Sequence, residues 1–309
     1  MSTLIFTHPS YEHHENGPGH PECPERIRTV WQTLERAPFD ALERREAEEA
    51  TPDELARVHE RGYIEMVLSS IPEQGFTQLD GDTALSPGSR PAILRAAGAV
   101  RDAVDAIMGG EAGNAFCAIR PCGHHAEPAR AMGFCSFNNI AVGATHALAA
   151  HGLERVAIVD FDVHHGNGTQ TTASGDPRLM FASTHQSPLF PGTGAREEHG
   201  PYQNIVNCPL PAGAGTEAFQ AAMRDTILPA VEAFNPELLL ISAGFDAHER
   251  DPLAQLRFTA DDFAWVTREL LDLADRCCDG RVVSALEGGY DMTGLADSCA
   301  AHVRELSER

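Results

Sequence analysis

Val156-Ala157-Ile158-Val159-Asp160-Phe161-Asp162-Val163-His164-His165-Gly166 is an apolar, β-branched run that ends in carboxylates and imidazoles. Such a run reads as a buried strand, with the polar string as the turn at its carboxyl end. Leu238-Leu239-Leu240-Ile241-Ser242-Ala243-Gly244-Phe245-Asp246 repeats the plan. In an extended segment residues two apart share a side, so Asp162 and His164 face one point and Asp246 joins them from a neighbouring strand. Three ligands of mixed oxygen and nitrogen type, leaving coordination positions open, describe a catalytic divalent metal rather than a structural one. Zinc is the first choice, and iron(II) or manganese suits the same donors.

Outward from these strings, short apolar runs alternate with helical patterns along the chain. The pattern predicts strands over residues 4–7, 115–119, 156–160, 179–183, 205–208, 238–242 and 282–286. It predicts helices over 24–36, 91–108, 138–150, 216–234, 261–277 and 295–306. Alternation of this kind argues for one doubly wound, mainly parallel α/β sheet with helices on both faces. No repeat or linker interrupts it, so residues 1–309 read as a single domain. Five chemically rich strings then fall at carboxyl ends of strands, where open α/β sheets place their ligand crevice. They are Arg120 to His125, Asp160 to His165, Ser183 to His185, Ala243 to Asp246 and Glu287 to Asp291.

Composition narrows the partners. A formal net charge of -22 weighs against nucleic-acid binding, which needs a basic surface, and favours cationic substrates only weakly. All 23 residues counted as Lys or Arg are arginine, so the chain has no lysine of its own to be acylated. The eight cysteines lack C-x-x-C spacing and read as reduced thiols. No apolar stretch approaches a membrane span and the first residues lack a signal-peptide pattern, so a cytoplasmic location is expected. The sequence is compatible with a homo-oligomer.

His124 and His125 follow a strand and a proline, and histidine suits acid–base work because small perturbations move its pKa across neutrality. Asp160 and Asn167 bracket the metal string and are the candidate partners that fix the imidazole tautomers. The pair His13-His14 reads as an ordinary loop feature. Tyr290, behind two glycines, is the candidate donor to an oxyanion. Phe134 and Phe190 lie in glycine- and proline-rich loops and would wall a narrow channel for an aliphatic chain.

Arg120 to Ala126, Gly133-Phe134-Cys135, Asp160 to Gly168, Ser242 to Ala247 and Glu287 to Asp291 resemble the zinc-dependent histone deacetylase superfamily. That superfamily also holds acetoin-utilization proteins and acetylpolyamine amidohydrolases. The resemblance implies the arginase/deacetylase fold with an eight-stranded parallel sheet. It implies Zn²⁺ on Asp162, His164 and Asp246, His125 as general base and then acid, His124 as its electrostatic partner, and Tyr290 as oxyanion donor. It further implies a structural K⁺ held by Asp160, Ser183 and Thr184, with Asp162 and His164 contributing backbone atoms. Gly133, Phe134, Phe190 and Leu253 would border the acyl-lysine tunnel, and Asp82 would bind the substrate backbone.

Asn167, where class I members carry aspartate, and the loop from His20 to Arg26 make the chain class II-like. Cys122 replaces the second proline of Arg-Pro-Pro-Gly-His-His. Leu253 stands where the polyamine-selective enzyme carries glutamate, which favours acyl-lysine over a polyamine. The expected activity is removal of acetyl or other acyl groups from lysine side chains or related amines. The alternatives are an amidohydrolase for acetylpolyamines or other small acylated amines, and a non-catalytic acyl-lysine-binding protein. A two-manganese ureohydrolase is disfavoured, because Asp-Val-His-His-Gly lacks the additional carboxylates of Asp-Ala-His-x-Asp.

Overall fold

The computed structural model describes residues 2–309. Its strands are β1 (Thr3–Thr7), β2 (Glu43–Glu46), β3 (Thr77–Gln78), β4 (Ala84–Leu85), β5 (Asn114–Cys117), β6 (Val156–Asp160), β7 (Leu179–Gln186), β8 (Ile205–Leu210), β9 (Leu238–Ala243) and β10 (Val282–Leu286). Its helices are α1 (Pro24–Leu34), α2 (Pro52–Leu55), α3 (Arg61–Ser69), α4 (Ser89–Met108), α5 (Asn139–Ala150), α6 (Asn167–Ser174), α7 (Thr216–Ala222), α8 (Leu228–Phe234), α9 (Ala260–Cys277) and α10 (Met292–Ser307). Among the described residues one eight-stranded sheet runs in the order β2-β1-β5-β10-β9-β6-β7-β8, and β3 pairs with β4 in a small hairpin. Every pairing in the large sheet is parallel.

Every residue of β5, β6, β9 and β10 is buried, which requires cover on both faces of the sheet. The order of the strands brings the chemistry together. β9 and β10, late in the chain, fill the space between β5 and β6, so the carboxyl ends of β5, β10, β9 and β6 stand side by side. Register is tight there, with Asp160 opposite both Ser242 and Ser183. Among the described residues no helix is long and apolar enough to cross a membrane.

All seven strands read from the sequence are present. The eighth, β2, is Glu-Arg-Arg-Glu, a charged sheet edge with no apolar signature. β7 continues to Gln186, so Ser183, Thr184 and His185 lie inside the strand rather than in a turn behind it. The segment expected as one helix from 216 to 234 has a π turn at Met223–Ile227 between α7 and α8. His14, expected in a loop, is wholly buried, with Nδ1 2.8 Å from Ser89 Oγ.

Gly98 sits inside α4, where a Cβ would overlap the backbone oxygen of Glu48. Gly to Ala within a helix ordinarily gains about 1 kcal/mol, whereas forcing atoms into a packed site costs about 1–3 kcal/mol. The obstruction is backbone and cannot rotate away, so Gly98→Ala is expected to destabilise the protein, read as a lower urea midpoint. An unchanged or raised midpoint would contradict this packing.

Candidate active site

The metal string does not have the extended form read from its sequence. β6 stops at Asp160 and the chain bends through 161–165. Asp162 and His164 still converge, because side chains pin the bend. Asp160 Oδ1 accepts the Asp162 N–H at 3.0 Å, Asp162 Oδ1 accepts the His164 N–H at 2.9 Å, and Asp246 Oδ1 accepts the Val163 N–H at 2.8 Å. Phe161 and Phe245, both buried with ring centroids 6.3 Å apart, anchor the two strings in the core beside their carboxylates.

His164 Nδ1 lies 3.2 Å from Asp162 Oδ1 and 3.1 Å from Asp246 Oδ2. One donor atom from each of Asp162, His164 and Asp246 falls within 4.8 Å of the others, and all three residues are buried. The backbone at two glycines passes close against these oxygens. A Cβ on Gly244 would overlap Asp162 Oδ2, and one on Gly288 would overlap Asp246 Oδ2. Burial, reinforced by repulsion from Asp162, pushes the Asp246 carboxyl up to about 7. Burial opposes charge on His164, yet its hydrogen bonds to Asp162 and Asp246 outweigh that and raise it to about 10. The cluster thus selects positive charge, and its hard and borderline donors fit a divalent cation.

Asp160 and Asn167 sit behind the two histidines. His124 donates from Nδ1 to Asp160 Oδ2 at 2.9 Å. Burial alone would lower its pKa, but Asp162 and Asp160 carry it well above the usual imidazole value. His125 Nδ1 lies 2.8 Å from Asn167 Oδ1, whose amide is oriented by an Nδ2 bond to Glu127 Oε1 at 2.8 Å. Since Asn167 Oδ1 can only accept, His125 carries its proton on Nδ1 and keeps the Nε2 lone pair free. Burial, then the neighbouring charges of His124 and His164, hold the His125 pKa well below 6.5.

A cavity of about 240 Å³ opens onto these groups, lined by His125, His164, Tyr290, Gly133, Phe134, Leu189, Phe190, Leu253 and Asp82. Phe190 faces His125 edge-on at 5.1 Å, and Phe134 faces Tyr290 at 5.8 Å. Gly133 and Phe134 both have positive φ, 56° and 69°. A Cβ on Gly133 would overlap His125 Cδ2, so the wall needs glycine there. Asp82 Oδ1 accepts the Gly133 N–H at 3.1 Å and Thr83 Oγ1 accepts the Phe134 N–H at 3.0 Å, fixing this turn. A larger hollow of about 400 Å³ along Ile5, Trp31 and Arg44 has no histidine in its lining. Cys122 and Cys135 lie under the turn as free, buried thiols 3.4 Å apart.

Ser183 Oγ is 3.0 Å from His185 Nδ1, and Thr184 Oγ1 is buried without a hydrogen-bond partner. Ser183 pairs in register with the wholly buried Asp160, and Thr184 is the next residue along β7.

Sequence reasoning missed the frame that holds the loops. Glu22 accepts from Arg120 at 2.6 and 2.8 Å and from Arg26 at 3.2 Å, all three fully buried. Burial opposes its charge, but Arg120 outweighs it and lowers the Glu22 pKa. Arg26 donates to Gly289 O at 2.7 Å and Glu287 O at 2.5 Å, with its guanidinium 4.9 Å from the Tyr290 ring centroid. Glu287 Oε2 accepts the N–H groups of Gly123 and His124, and Asp251 Oδ2 accepts that of Tyr290. Glu22, Arg26, Arg120 and Glu287 stood in the quoted motifs, but a charge buried 98 residues from its partner has no local signal.

Removing Glu22 leaves two arginines buried without their shared counter-charge. Glu22→Ala is expected to cost about 3–5 kcal/mol, measured by urea denaturation. A loss within the scatter of surface substitutions would show that the frame is dispensable.

The histone deacetylase domain family model matches residues 20–306. The chain is 40% identical over 300 residues to a probable deacetylase of Archaeoglobus fulgidus, covering 95% of this chain and 83% of that protein. It is 40% identical over 295 residues to a histone deacetylase-like amidohydrolase of Pseudomonas aeruginosa, covering 94% and 77%. It is 37% identical to the chloroplastic histone deacetylase 14 of Arabidopsis thaliana over 94% of this chain and 74% of that one. The crystal structure of the HDA15 HD domain superposes with a TM-score of 0.94 at 34% identity, covering 100% of this chain and 88% of that one. With its eight-stranded parallel sheet and these matches, the chain belongs to the histone deacetylase family.

Proposed function

We propose that residues 1–309 act as one zinc-dependent deacetylase unit that hydrolyses acyl groups from lysine side chains or related linear amines. The carrying observation is the buried Asp162–His164–Asp246 donor set beside a cavity that His125 and Tyr290 also line. Asp162, His164 and Asp246 would hold the ion, which when bound polarises a carbonyl and acidifies a water. His125 takes the proton of the attacking water on Nε2 and returns it to the departing amine. Its Nδ1 proton stays with Asn167 Oδ1, and an amide there leaves the ring less basic than a carboxylate would. His124, whose pKa Asp162 and Asp160 raise, adds positive charge beside the reacting carbonyl. Tyr290 donates its O–H to the carbonyl oxygen as charge develops there.

K⁺ is the second cofactor of this reading. Asp160, Ser183 and Thr184, with backbone atoms of Asp162 and His164, would hold it, and the unpartnered Thr184 hydroxyl supports that assignment.

The walls favour an aliphatic chain without internal charge. Phe134, Phe190, Leu189 and Leu253 are apolar, and the Asp82 carboxylate that reaches the cavity already accepts from Gly133 and Thr83. An acyl-lysine peptide therefore fits better than an acetylpolyamine, whose remaining ammonium groups need counter-charge.

Chelation is expected to abolish hydrolysis of an acetyl-lysine peptide, with Zn²⁺ restoring it, and kcat/KM should be lower for acetylspermidine. Turnover that survives exhaustive chelation would refute the metal role, and a preference for acetylspermidine would replace the substrate. Tyr290→Phe is expected to lower kcat by about 10²–10³-fold, about 2.7–4 kcal/mol of barrier, as for loss of another oxyanion donor. An unchanged kcat removes Tyr290 from the chemistry.

A further inference from the structure

Asp105, His146 and His151 form a second convergence of ligand atoms, separate from the catalytic cluster. Asp105 lies on α4, His146 on α5, and His151 is the residue that ends α5. Both imidazoles point Nε2 at a single oxygen, with His146 and His151 each 2.7 Å from Asp105 Oδ1. The rings meet edge to face with centroids 5.8 Å apart. One donor atom from each residue lies within 4.8 Å of the other two. His146 is buried, His151 half-buried and Asp105 exposed, so the cluster opens to solvent on one side.

We propose that Asp105, His146 and His151 bind a divalent transition-metal ion, zinc by donor type, as a peripheral clasp between α4 and α5. Two imidazole nitrogens and one carboxylate oxygen are a three-ligand set that zinc completes with water. Small adjustments convert donors that meet at one oxygen into donors that share one ion, because each N or O ligand then sits about 2.0–2.2 Å from the metal. Asp105 presents one carboxylate oxygen that both imidazoles already share.

One neighbour opposes the ion and makes the proposal specific. Arg57 Nη1 is 2.9 Å from His146 Nδ1. A guanidinium only donates, so His146 accepts on Nδ1 and carries its proton on Nε2. Ligation through Nε2 sends that proton to solvent and places one on Nδ1, so Arg57 must swing away. Arg57 is exposed and free to do so. The site stands well away from the reaction. Asn139, at the start of α5, donates to Pro121 O beside the His124–His125 loop. His146 and His151 lie about 10 and 18 Å further along the helix axis at 1.5 Å per residue. The ion would act on helix packing without touching substrate.

The test uses the full-length chain, stripped with chelator and dialysed against micromolar free Zn²⁺, with bound metal counted by plasma mass spectrometry. His151→Ala and His151→Gln are each expected to carry one ion fewer than wild type while keeping hydrolytic turnover. The Gln variant retains a polar partner for Asp105, so a shared loss reports ligation rather than misfolding. Arg57→Ala is expected to bind the peripheral ion severalfold more tightly. Equal metal content in wild type and both His151 variants would overturn the proposal. Should the catalytic zinc reading fail instead, the totals fall together and the difference of one ion persists.

Discussion

Two carboxylates that repel each other must be held side by side out of bulk solvent, and the site is built around that constraint. Asp162 and Asp246 are both 1% exposed. Two unit charges about 4 Å apart interact by about 4 kcal/mol at an effective dielectric of 20. The protein offsets this with oriented dipoles and an imidazole: the N–H groups of Gly288, His164 and Val163 aim at these oxygens, and His164 Nδ1 lies between them. Gly244 and Gly288 let two backbones pass within reach of the same carboxylates, where any side chain would displace an oxygen. Steric and electrostatic demands therefore meet on one small volume, which a compact doubly charged cation complements.

A second layer of charge keeps the loops in place. Glu22, Arg26 and Arg120 bind the segment before α1 to the loops after β5 and β10. Glu287 then ties the end of β10 to the Gly123–His124 backbone. Buried ions are costly to desolvate, several kcal/mol each, so this arrangement contributes position more than stability. It sets where the His125 ring and the Tyr290 phenol stand relative to the carboxylates.

Much of the fold was legible because its central strands announce themselves. Val156 to Val159 and Leu238 to Ile241 are apolar runs too short for helices, and burial on both faces removes any alternation. β2 was not legible, since Glu43 to Glu46 gains its strand form by pairing with β1 at a solvated edge. α6 was also hidden: Asn-Gly-Thr-Gln-Thr-Thr-Ala-Ser has no apolar period, and the helix packs against β7, β8 and α5. For the site, the convergence of Asp162, His164 and Asp246 was readable from strand ends, although the extended geometry assumed for it was not what joins them. The hold of Asp82 and Thr83 on the Gly133–Phe134 turn rests on tertiary hydrogen bonds, which no local pattern encodes.

The strand order has a consequence for how the molecule comes into being. β9 and β10 are inserted between β5 and β6, although both are made after β8. The Gly288 N–H reaches Asp162 across 126 residues, and Glu287 reaches Gly123 across 164. Contacts so remote in sequence form late and slowly. During synthesis the flanks of the sheet exist before its middle, and their open edges wait for the last strands to wedge in. The carboxylate cluster and the His124 loop therefore gain their last backbone donors and acceptors only once these two late strands are seated.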